Sequence, residues 1–236
     1  MDLSPKAKQL YDLLFTKHFD LDKLKGVLQT GDFCKADVNL AAFKYVNDCQ
    51  NYLMDDWQIH HSGMGVIVPG YESSHVLEAI RVLLEYGLDP NTIYTEALTE
   101  DLSEQYNIMQ SLRYIDNGYV AADTLALLLE NGGNPSIIID GNSFVRDVNF
   151  DLLFGLNNQE DRIRYDALVH FWMVLVGYGA RLEEGEACID PCGNFDVANL
   201  RNHRNYYYGA IHSERSNDNM EICFFDKETN WEVARF

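Results

Sequence analysis

Two short stretches contain residue types that could do chemistry. HHSGMG at residues 60–65 combines adjacent histidines with glycines, and CIDPC at residues 188–192 spaces two cysteines as some zinc sites do. The first stretch lacks the Lys-Ser/Thr pair of a phosphate-binding loop, and adjacent histidines point in different directions. The second needs another ligand pair, for which only His203 and His212 are nearby in the sequence. We therefore expect no metal site and no cofactor.

Motifs that mark enzyme active sites are also missing from the sequence. It has no Gly-x-Ser-x-Gly elbow and no His-Glu-x-x-His motif, and DLDKLKG at residues 20–26 lacks the oxygen ligands of a calcium loop. We assign no catalytic residue and predict that the chain is not an enzyme. The alternative is a metal-binding protein or an enzyme with a site near residues 58–72, a predicted long loop in which glycines and Pro69 exclude a continuous helix.

Acidic side chains dominate the charge of the chain. It has 37 Asp and Glu against 18 Lys and Arg, a formal net charge of −19 at pH 7. This field opposes binding to nucleic acid or anionic lipid and speeds association with a basic protein. The five cysteines are irregularly spaced and indicate no disulfide framework. With no signal-peptide pattern at the N-terminus and no long apolar run, we expect a cytoplasmic protein that does not contact membranes.

The elements that would position a binding site are amphipathic helices that end in glycine. SSHVLEAIRVLLEYG and AADTLALLLENG each carry an apolar helical stripe, and Gly87 and Gly132 are predicted to end these helices in the left-handed conformation. Pro90 and Pro135 follow and prevent a restart. A weaker third copy ends at Gly179, and a degenerate fourth ends at Gly31.

A second helix is predicted before these helices, at residues 38–57, 102–118 and 148–156. The chain then reads as helix, helix and loop, repeated at intervals of about 45 residues. Recurrence at such a spacing is typical of a solenoid, because one helix pair cannot bury its apolar face alone.

LLEYGLDPN at residues 83–91 and LLENGGNPS at residues 128–136 resemble the end of an ankyrin repeat. GNPSIIIDGNSF at residues 133–144 is similar to the β-hairpin finger that follows, with Asp140-Gly141 at its tip. The resemblance extends over residues 21–182. The Thr-Pro-Leu-His start of the family is absent, and the spacing exceeds the usual 33 residues. HEAT-like repeats have nearer this spacing and remain the structural alternative.

The predicted fold is mainly α, a solenoid of three to four ankyrin-like helix pairs with long loops, closed by a small C-terminal antiparallel sheet. NYYYGAIHS, MEICFFD and WEVARF are strand-like runs, with DKETN as a hairpin turn. We place the helical region at residues 1–200 and the sheet at 201–236, packed as one domain. The sheet would cover the last helices, and Tyr206, Tyr207 and Tyr208 are interpreted as packing residues.

The resemblance implies that partners bind along the finger tips and inner helices. The segments there combine carboxylates with aromatic residues that either anchor a partner or pack inward. The predicted partner-binding residues are Asp55, Asp56, Trp57, Tyr94, Glu96, Glu100, Asp101 and Asp140. We predict a monomeric protein–protein interaction module with a basic protein partner, in concrete form an immunity or antitoxin protein that binds a basic toxin.

Overall fold

The structure is a computed structural model. It describes residues 2–16, 18–61, 74–97, 103–113, 115, 118–148, 152, 162–181, 190–212 and 220–235. Helices dominate this part of the chain, and small antiparallel sheets accompany them, so the prediction of a mainly helical chain with a C-terminal sheet is confirmed at that level. None of the helices within the described ranges is long and apolar enough to cross a membrane.

By its contacts the chain divides into two compact units, residues 1–134 and 135–236. The predicted boundary at residue 200 falls inside the second unit. The first unit contains six helices and one hairpin within its described residues. They are α1 (Pro5–Leu14), α2 (Leu21–Thr30), α3 (Lys35–His61), α4 (Ser74–Glu85), β1 (Ile93–Ala97), β2 (Ser103–Asn107), α5 (Ile108–Leu112) and α6 (Gly118–Glu130).

The core of the first unit is formed by apolar positions at helical spacing. α3 packs against α1 and α5, and α4 packs against α6. The side chains that meet there, Leu10, Val46, Ile80, Leu83, Leu112 and Leu125, are fully buried. Polar caps fix where two of the helices begin, because Ser4 accepts from the backbone of Ala7 and Asp20 accepts from the backbone of Lys23.

Two corrections apply to the predicted helices. Residues 102–118 do not form one helix, since Ser103–Asn107 is a strand and only Ile108–Leu112 is helical before α6. α3 extends beyond the predicted 38–57 to His61, so the start of the predicted 58–72 loop is helical, and residues 62–73 lie outside the described residues. Of the predicted helix at 148–156, residues 148 and 152 are helical and the others lie outside the described ranges.

The glycine ends of three helices share one backbone geometry. Gly87, Gly132 and Gly179 have φ of +94°, +93° and +84°. In each, the residue after the glycine donates its backbone N–H to a carbonyl five positions earlier, and the glycine donates to a carbonyl three positions earlier, which is the Schellman motif. The longer bonds are Leu88 to Leu83, Gly133 to Leu128 and Ala180 to Leu175. The predicted helix stops are confirmed, and Leu84 and Leu129 occupy equivalent places.

Gly31, the predicted fourth stop, differs from these three. It caps α2, but its φ is −84°, and its N–H bonds to Val27 as in an ordinary last helical turn. The helix α2, predicted as the degenerate fourth copy of the pattern, therefore ends without the left-handed turn.

Side chains connect each glycine turn to an earlier segment. The backbone N–H two residues after each glycine donates to a polar side chain 43 to 50 positions before it. The pairs are Asp89 to Asn39 Oδ1 at 2.7 Å, Asn134 to Asn91 Oδ1 at 2.7 Å, and Arg181 to Ser136 Oγ at 2.9 Å. We call these three bonds the turn bridges. Two lie within residues 1–134 and one within residues 135–236.

The second unit begins with a short β-hairpin, within residues 133–144 where a hairpin is predicted. β3 (Ile138–Ile139) and β4 (Asn142–Ser143) pair around Asp140 and Gly141, whose φ values of 51° and 80° define a tight hairpin turn. The chain is helical again at 144–148. Phe144 is fully buried and packs edge-on against Phe171, so this aromatic residue points inward.

A longer helix and a four-stranded sheet follow in the described residues of the second unit. α7 (Arg162–Gly177) packs against two 3-10 turns, Val197–Arg201 and His203–Asn205. The antiparallel sheet has the order β5 (Asp190–Pro191), β8 (Glu232–Arg235), β7 (Met220–Asp226), β6 (Tyr206–His212). The three predicted strands are confirmed, and β5 adds a short fourth.

The C-terminal sheet covers α7 through an aromatic contact. Trp172 and Phe224, both fully buried, stack with ring centroids 5.6 Å apart. Gly177 lets the chain approach closely, because a Cβ there would overlap the backbone of Arg201. The predicted packing role holds for Tyr206, which is buried, whereas Tyr207 is exposed and stacks on Phe225.

Candidate partner-binding site

The β1–β2 hairpin holds two of the predicted partner-binding residues, Tyr94 and Glu96. Its strands pair in antiparallel register from Ile93 opposite Asn107 to Ala97 opposite Ser103. Successive residues of a strand alternate between its two faces, so positions 94, 96, 104 and 106 share one face of the hairpin. That face has two tyrosines near the helices and two glutamates towards the tip.

Aromatic packing fixes the base of this hairpin. The Tyr94 ring stacks on Phe43 of α3 at a centroid distance of 4.6 Å, and the Tyr106 ring lies 6.2 Å from Phe43. Phe43 itself is buried. The Tyr94 hydroxyl is enclosed without a hydrogen-bond partner, and burial raises the pKa of Tyr94, so the phenol stays neutral. Tyr94 is therefore already engaged by the core of the first unit.

Asn107 connects the end of β2 to the Asp-Pro-Asn turn at residues 89–91 by side-chain hydrogen bonds. Its amide nitrogen donates to the carbonyls of Pro90 and Thr92, each at 2.9 Å, and its oxygen accepts from Met109 N at 2.8 Å to cap α5. The side chain is fully buried, so these bonds are made away from water. Sequence reasoning missed this residue, although an Asn directly before the apolar run IMQSL is a recognisable N-cap signal.

The glutamates near the tip are the chemically distinctive feature of the hairpin. Glu96 lies directly opposite Glu104 in the register of the two strands. Glu104 is exposed, and its carboxylate accepts a hydrogen bond from the Tyr106 hydroxyl. Like charges directly opposite one another destabilise an antiparallel pair. The register therefore sets two glutamate positions directly opposite one another in the hairpin.

The other predicted partner-binding residues are distributed as follows. Asp55, Asp56 and Trp57 belong to the second half of α3. Asp140 forms the exposed tip of the β3–β4 hairpin in the second unit. Glu100 and Asp101 lie outside the described residues. The structure thus brings Tyr94 and Glu96 together on one strand and leaves the joint role of the eight residues a prediction.

The cysteine and histidine positions considered for metal binding lie partly within the described residues. Within those ranges, no group of three or more His, Cys, Asp or Glu side chains is arranged to hold a metal ion. Cys188 lies outside the described residues. Cys192 is an exposed residue. The limited desolvation of its thiol, and then its hydrogen bond to Glu232, raise the pKa of the thiol and keep it protonated. His203 packs against His170 at a buried site.

No protein-family model matches the chain, and comparisons with curated proteins and with solved structures found no match.

Proposed function

We propose that the chain is a non-enzymatic protein-binding module whose β1–β2 hairpin docks a basic protein. The fold we propose with it is a solenoid of three to four ankyrin-like helix pairs. The recurring glycine turns and turn bridges support this fold, since each relates segments spaced as repeats would be.

The observation that carries the function is the pairing of Glu96 with Glu104. Like charges at directly opposite positions of an antiparallel pair are unfavourable, and a cationic side chain of the partner would offset this. The stacking of Tyr94 on Phe43 anchors the base of the hairpin, so little conformational freedom is lost on binding. A lysine or arginine of the partner fits this chemistry, and Arg would also stack on the neighbouring Tyr106 ring.

The net charge of −19 supports the same class of partner. It attracts a basic protein over distances of about a Debye length and opposes nucleic acid and anionic membranes. An immunity or antitoxin protein that neutralises a basic toxin in the cytoplasm, as a monomer, is the concrete form of the proposal. The carboxylates at Asp55, Asp56, Glu100, Asp101 and Asp140 and the Trp57 ring remain further predicted contacts.

The test is affinity capture from the source cell, followed by binding kinetics of the captured partner with hairpin variants. We expect E96K/E104K to slow association at least tenfold at low salt, because the reversal replaces attraction by repulsion at the contact. We also expect the association rate of the native chain to fall steeply as salt is raised.

The matched control is E78K/E85K, which reverses two exposed glutamates of α4 and changes the net charge by the same amount. It should slow association much less than the hairpin variant. An equal effect of the two variants would show that only the overall charge matters. A partner that is acidic, or whose association rate ignores salt, would refute the proposal.

A further inference from the structure

Two histidines meet inside the second unit. His170 lies in the middle of α7, and His203 opens the 3-10 turn that leads directly into β6. Each is only 2% exposed. Their rings are 5.2 Å apart between centroids, and the two Nδ1 atoms are 3.3 Å apart. A direct contact between imidazoles thus joins the helix to the start of the sheet.

The contact depends on the protonation state of both rings. With both imidazoles neutral, one Nδ1 carries a proton and donates to the other, which accepts. One added proton leaves this bond in place but creates a charge in a buried site. A second added proton makes both Nδ1 atoms donors, so the contact becomes repulsive.

The surrounding charges oppose protonation. The charged side chains that act on His170 from the packed elements are Arg204, next to His203, and Lys227, in the turn after β7. The Lys227 ammonium is held there by the carbonyl of Arg204 at 2.7 Å. Arg201, on the other 3-10 turn, lies over the Tyr178 ring at the end of α7. Burial first, and then His203, Lys227 and Arg204, lower the pKa of His170 to about 4.

A shared metal ion is a poor explanation of the pair. Two nitrogen ligands of one tetrahedral zinc are also roughly 3.3 Å apart. The neighbouring cations disfavour a metal ion, however, and in the described part of the chain the pair belongs to no group of three potential ligands.

We infer that the His170–His203 contact is a proton-sensitive joint that holds α7 against the C-terminal sheet at neutral pH and releases it in mild acid. Free histidine titrates near 6.5. Because the pKa of His170 is lower in the folded state, protons bind the opened form more strongly, and stability falls as pH drops from about 6.5 towards 4. The Trp172–Phe224 stack is a second contact between α7 and the sheet, two positions after His170 in the chain, and would be exposed when α7 separates from the sheet.

The experiment follows Trp172 as a reporter. The chain has three tryptophans, so the W57F/W231F variant leaves Trp172 as the only one. We expect its emission to shift to longer wavelength as pH falls from 7 to 4. In the same background, H170Q/H203Q should lose the part of this shift that occurs above pH 5, where most carboxylates are still ionised. H18Q, at an exposed histidine, should leave the curve unchanged.

An unchanged transition in H170Q/H203Q would overturn the inference, and so would a native Trp172 signal that is constant down to pH 4. If the double variant does not fold at pH 7, an NMR titration of the native chain replaces it, following the chemical shifts of the His170 and His203 ring protons against pH. Titration of both near 6.5 refutes the joint, and titration of His170 well below 6.5 supports it.

Discussion

At Gly132 the backbone has a φ of +93°, and no atom lies within 4 Å of the place where a Cβ would stand. A Cβ added there meets no steric obstacle from residues other than its chain neighbours. The need for glycine is therefore conformational alone, since L residues rarely adopt this φ and β-branched residues are the least tolerant of it.

We expect Gly132→Val to lower the free energy of unfolding by about 1–3 kcal/mol, the cost of holding a β-branched residue in a left-handed turn. Thermal and urea unfolding measure it. Gly132→Asn should cost clearly less, because Asn tolerates this conformation.

Gly26 provides the opposite control, because it lies inside α2 with open space around it. Gly26→Ala should stabilise the chain by about 0.5–1 kcal/mol. A Gly132→Val variant that melts like the native chain would contradict the assigned turn.

Single residues were predictable from the sequence where their role is local. The helix stops and the hairpin turn require a positive φ, which glycine and aspartate tolerate better than most residues, so their positions can be read from residue type. These positions are Gly87, Gly132, Gly179 and Asp140-Gly141. The stacking of Tyr94 on Phe43 and the His170–His203 contact join residues 51 and 33 positions apart, and no local pattern specifies such a partner. For the aromatic residues the sequence allowed two alternatives, contact with a partner and inward packing, and did not decide between them.

At the scale of elements, the turn bridges connect each glycine turn to an earlier segment of the chain by a side-chain hydrogen bond. Asn91 takes part in one turn bridge, accepting from Asn134 N at 2.7 Å, and also donates from Nδ2 to Gly132 O at 2.8 Å. An amide at this position fixes the start of one turn against the end of α6.

Asn91→Ala should lower the free energy of unfolding by about 1–2 kcal/mol through the loss of both bonds. Asn91→Asp keeps the acceptor for Asn134 N and should fall between the native chain and Asn91→Ala. Asn131→Ala is the matched control, since that exposed amide bonds to Leu127 within the end of its own helix. Equal losses at Asn91 and Asn131, measured by urea unfolding, would show that the bridge adds nothing.

The element that sequence reasoning assigned wrongly is β2. SEQYN has no strong strand propensity, and the IMQSL that follows continues an apparent helical stripe. Its pairing with β1 and the cap at Asn107 override that local pattern. Helices with long amphipathic stripes, such as α4 and α6, were predictable because a large buried face determines them.

For the whole molecule, the excess of carboxylates is an energetic burden on the folded state. A net charge of −19 repels itself in a compact chain, and dissolved salt screens this repulsion. The apolar core is unaffected by the low salt concentrations at which this screening develops.

We therefore expect the melting temperature to rise by a few degrees between 10 mM and 150 mM NaCl and then to level off, as the Debye length shortens from about 30 Å to about 8 Å. Differential scanning fluorimetry at constant pH measures this. An equal osmolarity of sucrose is the control for excluded-volume effects. A melting temperature independent of salt would mean that the charges are already balanced locally.

The turn bridges attach at fixed atoms, while the hairpins that follow the first two glycine turns differ in size. β1 and β2 have five residues each, and β3 and β4 have two each. The spacing of the glycines hardly changes, with 45 positions from Gly87 to Gly132 and 47 from there to Gly179. Hairpin length is thus uncoupled from the frame that carries it. A change in hairpin length therefore leaves the glycine turns in place, which makes the chain a candidate scaffold for displaying inserted peptides.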